Sequence, residues 1–402
     1  MTNKPIYVTI TIIYLLFTAC SGSSNRDKYV KLYNKPSVEI NQTQHPHSFN
    51  ILDVEYSNFY DNVDSMKLIK LETSDESLIG SISTLSIIGN VLYVADYSKS
   101  KSVFAFDLQG NFLYKINNIG NGPGEYQNIN MVQIDEKNIF ILDWFSGKIM
   151  KYDLFGNFIS EKKIIPHPND FINLNNGEMI FNHTHYNEKK KYQIEFTDSL
   201  WNPIETAFPF KNTRGIFFQQ FSIFQKLKDE TILYRYSFCD TIFKIKDRKI
   251  TPLYNLSFHV PEQVEALFEE TKNMEDRDYF KRLMKNDLVR SFNFIELKNA
   301  LFINYSKGMG AYVSLISKKD SKIYHSIAAD KEYAYIFNVN GFMYEQNILL
   351  SAIDESFGRL LSNENKEFFY SLFGTKNMKL IKELEDTDNN PLVCILYINP
   401  LL

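Results

Sequence analysis

Cysteine, net charge and long apolar runs are all scarce in this sequence of 402 residues. Three cysteines are too few for a fold built on disulfide bonds. The 44 Lys and Arg residues nearly balance 48 Asp and Glu residues, and a net charge of −4 gives no electrostatic reason to expect nucleic acid as a partner. The mean hydropathy of −0.28 excludes a membrane protein with many spans.

Catalytic signatures are also scarce. The sequence has no Gly-x-Ser-x-Gly elbow, and no Cys stands beside a His in a recognisable nucleophile pattern. The glycine-rich run from Gly120 to Gly124 lacks the Lys-Ser/Thr pair of a phosphate-binding loop, so we interpret it as a turn. We therefore expect no catalytic residue and no cofactor.

Aromatic residues, in contrast, are abundant. The chain contains 33 Phe and 25 Tyr residues, and aromatics make up 15% of the composition. These residue types favour pleated, half-buried surfaces. The composition therefore predicts a β-rich fold.

The first twenty residues predict an exported, lipid-modified protein. Lys4 precedes an apolar run of fourteen residues from Ile6 to Ala19, which is too short to span a bilayer and fits a signal-peptide core. The following Thr18-Ala19-Cys20 resembles the lipobox of bacterial lipoproteins. That resemblance implies a signal peptide over residues 1–19 and lipid attachment at Cys20. The alternative is an ordinary secretory signal with an incidental Cys.

Residues 20–60 are predicted to form a tether and an N-terminal segment. Ser21 to Asn25 are polar and small, as in a flexible linker. No acidic run of the kind that relatives use for surface export follows the Cys, so we expect an outer-membrane anchor on the periplasmic face rather than the cell surface. The two remaining cysteines, Cys239 and Cys394, are far apart in sequence and are predicted to be free thiols.

A repeat defines the architecture. Asp107, Gly110 and Phe112 recur 46 positions later as a second Asp, Gly and Phe. A period in the forties, made of short strands and turns, is typical of a propeller blade. In the second unit we predict strands at Met131–Ile134, Ile139–Leu142, Lys148–Tyr152 and Phe158–Lys162. The recurring carboxylates are predicted to cap turns.

Three further motifs carry a resemblance to a known family. They are Leu71-Glu72-Thr73, Gly120-Asn121-Gly122-Pro123-Gly124-Glu125-Tyr126 and Asp240-Thr241-Ile242-Phe243. The chain resembles the six-bladed β-propeller lipoproteins of Bacteroidota, relatives of the NHL-repeat propellers, from Met66 to its last residue. The resemblance implies a propeller over residues 61–402.

The number of blades follows from length. Six units of about 46 residues leave about 59 of the residues between Met66 and Pro400, whereas seven units leave almost none. Pro261–Arg290 and Ser356–Lys376 show helical spacing and account for most of that surplus. We therefore predict an all-β, six-bladed β-propeller with two short helical insertions. Pairing of Met66–Leu71 with Val393–Ile398 would close the ring.

Four side chains are candidates for a site. His183 and His185 share one side of a predicted strand and could bind one metal ion, or they could be ordinary edge histidines. Ser65 and Ser199 each follow an Asp and precede an apolar residue, which resembles the O-glycosylation acceptor of Bacteroidota. Chance is the alternative for so short a pattern.

The insertion from Pro261 to Arg290 is a candidate docking element. We expect Leu267, Phe268, Leu283 and Met284 to face the propeller, with a charged face in water and an exposed Tyr279 that contacts a partner. The alternative is an insertion that only covers one end of the ring.

The sequence thus predicts a lipid-anchored, monomeric binding or scaffold protein of the cell envelope without catalytic activity. Its partners would be the membrane, through the lipid, and an unknown envelope protein or glycan. The alternative is a metal-dependent hydrolase or lyase resembling the lactonase branch of six-bladed propellers.

Overall fold

The computed structural model describes residues 38–41, 43–57, 59–165, 167–184, 191–210, 223–259, 261–307, 310–327, 339–354, 366–385 and 389–401. Strands β1 (His47–Ser48) and β2 (Val63–Lys70) come first in the chain. Short 3₁₀ helices at Ile51–Asp53 and Phe59–Asn62 lie between them.

Blades 1 to 3 are four-stranded antiparallel sheets, each made of consecutive strands. Blade 1 contains β3 (Thr84–Ile88), β4 (Val91–Asp96), β5 (Ser102–Asp107) and β6 (Phe112–Ile116). Blade 2 contains β7 (Met131–Ile134), β8 (Asn138–Asp143), β9 (Lys148–Asp153) and β10 (Phe158–Lys163). Blade 3 contains β11 (Asp170–Asn173), β12 (Met179–Asn182), β13 (Tyr192–Thr197) and β14 (Pro203–Pro209). The four strands predicted in the second unit are confirmed.

Blades 4 to 6 complete the ring, with one strand borrowed from the start of the chain. Blade 4 contains β15 (Phe224–Lys226), β16 (Ile232–Tyr234), β17 (Thr241–Lys246) and β18 (Lys249–Asn255). Blade 5 contains β19 (Val289–Glu296), β20 (Ala300–Lys307), β21 (Gly310–Ser317) and β22 (Ile323–Ile327). Blade 6 contains β23 (Val339–Met343), β24 (Ile348–Ile353), β25 (Leu392–Ile398) and the early strand β2.

The predicted closure of the ring is confirmed. Strand β2 pairs antiparallel with β25, and the register places Met66 opposite Leu396 and Leu68 opposite Cys394. Apolar cores lie between neighbouring blades: Ile69 and Leu85, for example, share the core between blades 6 and 1. Because the inner strands β4 and β8 are covered by blades on both sides, their residues are buried on both faces.

Three helices interrupt the sheets. Helices α1 (Pro261–Thr271) and α2 (Asp276–Met284) connect blades 4 and 5, and α3 (Lys366–Lys382) lies between β24 and β25. The first insertion is confirmed as helical from Pro261 to Met284, whereas the predicted end at Arg290 already lies in β19. The second extends to Lys382 rather than Lys376, and its residues 356–365 lie outside the described part. Within it, Gly374 has a left-handed φ of 72° that breaks the helix into two pieces.

The strand order gives the ring two distinct ends. In each antiparallel blade the turn between the second and third strands lies at the same end as the link to the next blade. We call this the connection end, and α1, α2 and α3 all emerge there. Among the described helices, none is long and apolar enough to cross a membrane.

Residues 38–41 and 43–57, which we call the strap, cross the outer edges of three blades. The Val38 amide donates to the Thr206 carbonyl of blade 3 at 3.3 Å. Strand β1 pairs in parallel with β18, and Tyr56 forms a bridge with His325 of blade 5. The strap therefore covers outer strands that would otherwise present unpaired backbone groups. Nothing in the repeat predicted it.

Cys239 and Cys394 are free thiols, as expected. Cys394 is fully buried, and this burial raises its pKa to about 12. Its thiol is therefore protonated at neutral pH and unreactive.

Candidate functional site

A cavity of about 580 Å³ opens at the connection end between blades 3 and 4, beneath α1. We call it the blade 3–4 pocket. Its walls come from the turns after β12 and β16, the end of β18 and one side of α1. The lining residues used below are Asn182, His183, Thr184, Gln193, Tyr236, Ser237, Phe238, Asp240, Thr241, Asn255, Ser257, His259, Glu265, Phe268 and Glu269.

The inner wall presents a buried amide. Asn182 is 1% exposed, and its Oδ1 accepts a hydrogen bond from the Tyr234 hydroxyl at 3.2 Å. Its Nδ2 has no hydrogen-bond partner within the described residues. A buried donor without an acceptor is costly, so a pocket lined by one is suited to a ligand that supplies the acceptor.

His183 lies next to this amide and is also buried. Its backbone amide donates to the Gln193 carbonyl at 2.7 Å, and its Nε2 lies 3.3 Å from Glu195 Oε1. His185, its predicted metal-binding partner, lies outside the described residues. No group of three His, Cys, Asp or Glu side chains able to hold a metal ion occurs in the described part of the chain. The metal site therefore stays a prediction.

A second histidine fixes the opposite wall. His259 directs Nδ1 at Asp240 Oδ1, and its Nε2 lies 2.6 Å from the Val289 carbonyl of blade 5. Asp240 Oδ2 also accepts from the His259 backbone amide at 2.8 Å. Both ring nitrogens are thus engaged with oxygen acceptors, and the pair joins blades 4 and 5 just before α1 begins.

Aromatic rings form the rest of the wall. Phe238 meets Phe268 of α1 edge to face at a centroid distance of 5.4 Å, and Tyr236 stacks on Phe243 at 6.1 Å. Burial is the main cause that raises the pKa of Tyr236, so its hydroxyl stays neutral. No Lys or Arg is among the described lining residues.

The insertion packs as predicted at two positions and not at a third. Leu267 and Leu283 are buried in one cluster. The expected exposure of Tyr279 is wrong, because its side chain is 2% exposed within the same cluster. Tyr279 precedes Leu283 by four residues, so both lie on the same helix face, and it cannot be an exposed docking residue. The Met284 side chain lies outside the described part.

The repeated carboxylates cap turns, as predicted. Asp96 and Asp143 are buried at the ends of β4 and β8 and accept backbone amides of the following turns. Asp107 and Asp153 accept amides in exposed hairpins at the other end of the ring. Hydrogen bonding to the Asn157 side chain is the main cause that lowers the pKa of Asp153.

The glycine-rich run is a turn between blades, also as predicted. Gly124 has a φ of 72°, which favours glycine, and the Gly122 amide donates to Glu125 Oε2 at 2.7 Å. The Tyr152 hydroxyl donates to the Gly124 carbonyl at 2.6 Å. These bonds hold the turn through its own backbone groups.

The modification candidates are separate from the pocket. Ser65 lies on β2, Ser199 lies in the turn between β13 and β14, and both are exposed. Cys20 lies outside the described residues. Glycosylation and lipidation therefore stay predictions.

Sequence reasoning missed the pocket as a whole. Asp240 was predicted only as part of a family motif, and neither Asn182 nor His259 was predicted as a site residue. The detectable signal was a departure from the repeat: residues 182–183 stand where blades 1 and 2 have an apolar residue followed by Asp.

The model of the six-bladed β-propeller family DUF5128 matches residues 39–338, three quarters of the chain. The chain belongs to this family. The crystal structure of a predicted exported protein from Bacteroides fragilis NCTC 9343 is similar, with a TM-score of 0.70 and 19% identity over 88% of this chain and 99% of that one.

A member of the DUF4221 family from Bacteroides vulgatus ATCC 8482 is also similar, with a TM-score of 0.50 and 13% identity over 83% of this chain and 96% of that one. At these identities the likeness shows the fold alone. No curated protein matches the chain.

Proposed function

We propose that this propeller is a lipid-anchored protein of the cell envelope that binds a small ligand in the blade 3–4 pocket without transforming it. The pocket is the observation that carries the proposal. Its volume of about 580 Å³ and its mixture of aromatic faces with a few convergent polar groups are typical of ligand sites.

Two observations support a location in the cell envelope. Thr18-Ala19-Cys20 follows an apolar run of signal-peptide length, and a structurally similar Bacteroides protein is itself predicted to be exported. In this proposal the lipid on Cys20 holds the chain at the periplasmic face of the outer membrane. Two or three acyl chains exceed the single chain that gives only marginal membrane binding.

Binding is favoured over catalysis by how the Asp240–His259 pair is used. Asp240 accepts the His259 amide and faces its ring, while the second nitrogen of that ring is occupied by the Val289 carbonyl. A general base needs a lone pair directed at the substrate. The Asp240–His259 pair instead fixes the shape of the wall.

A small ligand is favoured over an envelope protein because the site is concave. The cavity lies below α1, and half-buried rings of Phe238 and Phe268 form part of its wall. A protein partner would be expected to use a flatter surface of larger area. Of the two partner classes predicted from the sequence, the pocket therefore favours a glycan-sized molecule.

A cavity-filling variant tests this function. In Ser237→Phe a large side chain replaces a pocket residue, and Ser160→Phe places the same change on exposed β10. Fractions of a small-molecule extract from the native envelope should raise the Tm of wild type and Ser160→Phe, but not of Ser237→Phe, and the active compound should be recovered unchanged. Equal shifts in all three proteins, or no shift in wild type, would contradict the proposal. Recovery of a converted compound would contradict its non-catalytic part.

A further inference from the structure

We infer that the ligand of the blade 3–4 pocket is a neutral saccharide, held by amide and hydroxyl groups and by contact of a sugar face with aromatic rings. This inference rests on the proposed function and names its ligand class. It is carried by the charges, the hydrogen-bonding groups and the aromatic wall of the pocket.

The charges of the described lining disfavour an anionic ligand. The described lining contains three carboxylates, Asp240, Glu265 and Glu269, and neither Lys nor Arg. An anion entering the pocket would lose hydration and meet no Lys or Arg among the described lining residues, and the His259 ring already faces Asp240. Acidic sugars and phosphorylated ligands are therefore disfavoured.

Charge does not require a cationic ligand either. Asp240, the half-buried carboxylate, already faces the His259 ring. Glu265 and Glu269 are exposed on α1, and Glu269 forms an ion pair with Lys272. Exposed carboxylates attract a cation only modestly because water and salt screen them.

The remaining polar lining is neutral and both donates and accepts. Amides and hydroxyls predominate among these residues, and together they match the dual hydrogen-bonding character of sugar hydroxyls. These residues are Asn182, Thr184, Gln193, Ser237, Thr241, Asn255 and Ser257.

Asn182 indicates which hydrogen-bonding group the ligand supplies. Because its Oδ1 accepts from Tyr234, its Nδ2 is the group left for the ligand, and it has no acceptor among the described residues. A hydroxyl or ring oxygen would satisfy this donor. The apolar C–H face of the same ring would lie against Phe268, which meets Phe238 on the other wall.

Calorimetry on the full chain with defined probes tests the inference. The neutral probes are maltotriose, cellotriose, mannotriose and N,N′-diacetylchitobiose; digalacturonic acid is the anionic probe, and glucosamine and spermidine are cationic. We expect at least one neutral probe to bind and the charged probes not to bind. Binding of a charged probe in the pocket without any neutral probe would overturn the inference and leave the proposed function standing.

Three variants locate the binding. Asn182→Asp keeps the acceptor for Tyr234 and replaces the free donor, so affinity for the neutral probe should fall about tenfold or more. Asn176→Asp makes the same change in a turn at the other end of blade 3, where Oδ1 accepts the Glu178 amide, and should leave affinity unchanged. Glu265→Gln should have little effect, whereas a cation site would lose most of its affinity.

If Asn182→Asp does not fold, Phe268→Ala provides a second test. It removes a half-buried ring of the wall and should also lower the affinity for the neutral probe. Retained affinity in a folded Asn182→Asp or in Phe268→Ala would place the saccharide elsewhere and overturn the inference. If neither the probes nor the envelope extract binds, the proposed function itself fails.

Discussion

The buried cap at Asp96 offers the sharpest test of how the blades are stabilised. Its carboxylate is fully buried at the end of β4 and is the acceptor for seven hydrogen bonds of 2.9 to 3.1 Å. The donors are the amides of Gly80, Ser81, Ser98, Lys99 and Ser100 and the hydroxyls of Ser81 and Ser100. Burial alone would raise the pKa of Asp96, but the amides of Lys99 and Ser100 and the two hydroxyls outweigh it and lower the pKa.

The replacement Asp96→Asn keeps the shape and removes one acceptor oxygen. If the new amide group takes the place of Oδ1, the amides of Ser98 and Lys99 lose their acceptor; in the other orientation, three amides lose theirs. At about 1–3 kcal/mol for each buried donor left unpaired, we expect a loss of about 2–6 kcal/mol in the free energy of unfolding. Urea unfolding followed by circular dichroism measures it.

Asp107→Asn is the matched control. Asp107 lies in an exposed hairpin, where Oδ1 accepts the Gln109 and Asn111 amides and Oδ2 accepts only the Asn111 side chain. Asn at this position keeps Oδ1, so its effect should be clearly smaller. Equal destabilisation by the two replacements, or a loss below about 1 kcal/mol for Asp96→Asn, would refute the reasoning.

The pH dependence supplies a second signature. Because the pKa of Asp96 is lower in the folded chain than in the unfolded one, its contribution is present above the unfolded pKa, near 3.8, and is lost as the pH falls through the folded pKa. Wild type should therefore lose stability in acid more steeply than Asp96→Asn. Parallel curves would mean that the carboxylate is not the group responsible.

Four further predictions concern other parts of the chain. Cys20→Ala should move the protein from the membrane to the soluble envelope fraction, and continued sedimentation with membranes would contradict lipid attachment. Intact mass of protein from the native host should show glycan at Ser65 or Ser199, and a mass of lipid and polypeptide alone would exclude it. A chain ending at residue 385 should not fold, because it lacks β25, which pairs with both β2 and β24; a cooperative unfolding transition in that chain would contradict this. Burial lowers the pKa of His325, so its neutral ring stabilises the fold above the unfolded pKa, near 6.5, and that contribution is lost as the pH falls. Between about pH 7 and pH 5, unfolding of His325→Gln should therefore depend less on pH than that of wild type, and an unchanged slope would contradict this.

The repeated part of the fold was predictable because the same turn residues recur in successive blades. Asp107 and Gly110 recur as Asp153 and Gly156, and each pair closes a hairpin between the third and fourth strands. Closure of the ring followed because the first and last strands each need a partner. The hairpins depend on neighbours in sequence, so spacing alone reveals them.

The strap and the pocket were not predictable on that basis. The strap pairs residues such as Tyr56 and His325, which are hundreds of positions apart and carry no shared motif. The pocket likewise joins Asn182, His259 and Phe268 from different elements. Tyr279 was misplaced because its charged neighbours in α2 obscured the face it shares with Leu283.

The position of the pocket follows from one register position of the blades. In each blade, the first residue of the first strand pairs with a residue of the second strand, and the position in question is the residue that follows this partner. It is Asp96 in blade 1 and Asp143 in blade 2. The same register places His183 there in blade 3 and Arg235 there in blade 4. Arg235 carries no acceptor, and His183 offers at most one ring nitrogen, so neither can replace a carboxylate that accepts several amides of the turn.

The loss of the carboxylate changes what the turn can do. In blade 1 the turn folds around Asp96, and the carboxylate accepts the backbone amides of Ser98, Lys99 and Ser100. In blades 3 and 4 the residues after this position, including Thr184 and Tyr236, line the cavity instead. Where this position carries Asp, its side chain therefore stabilises the ring. Where it carries another residue, the polar groups at the connection end can bind a ligand instead.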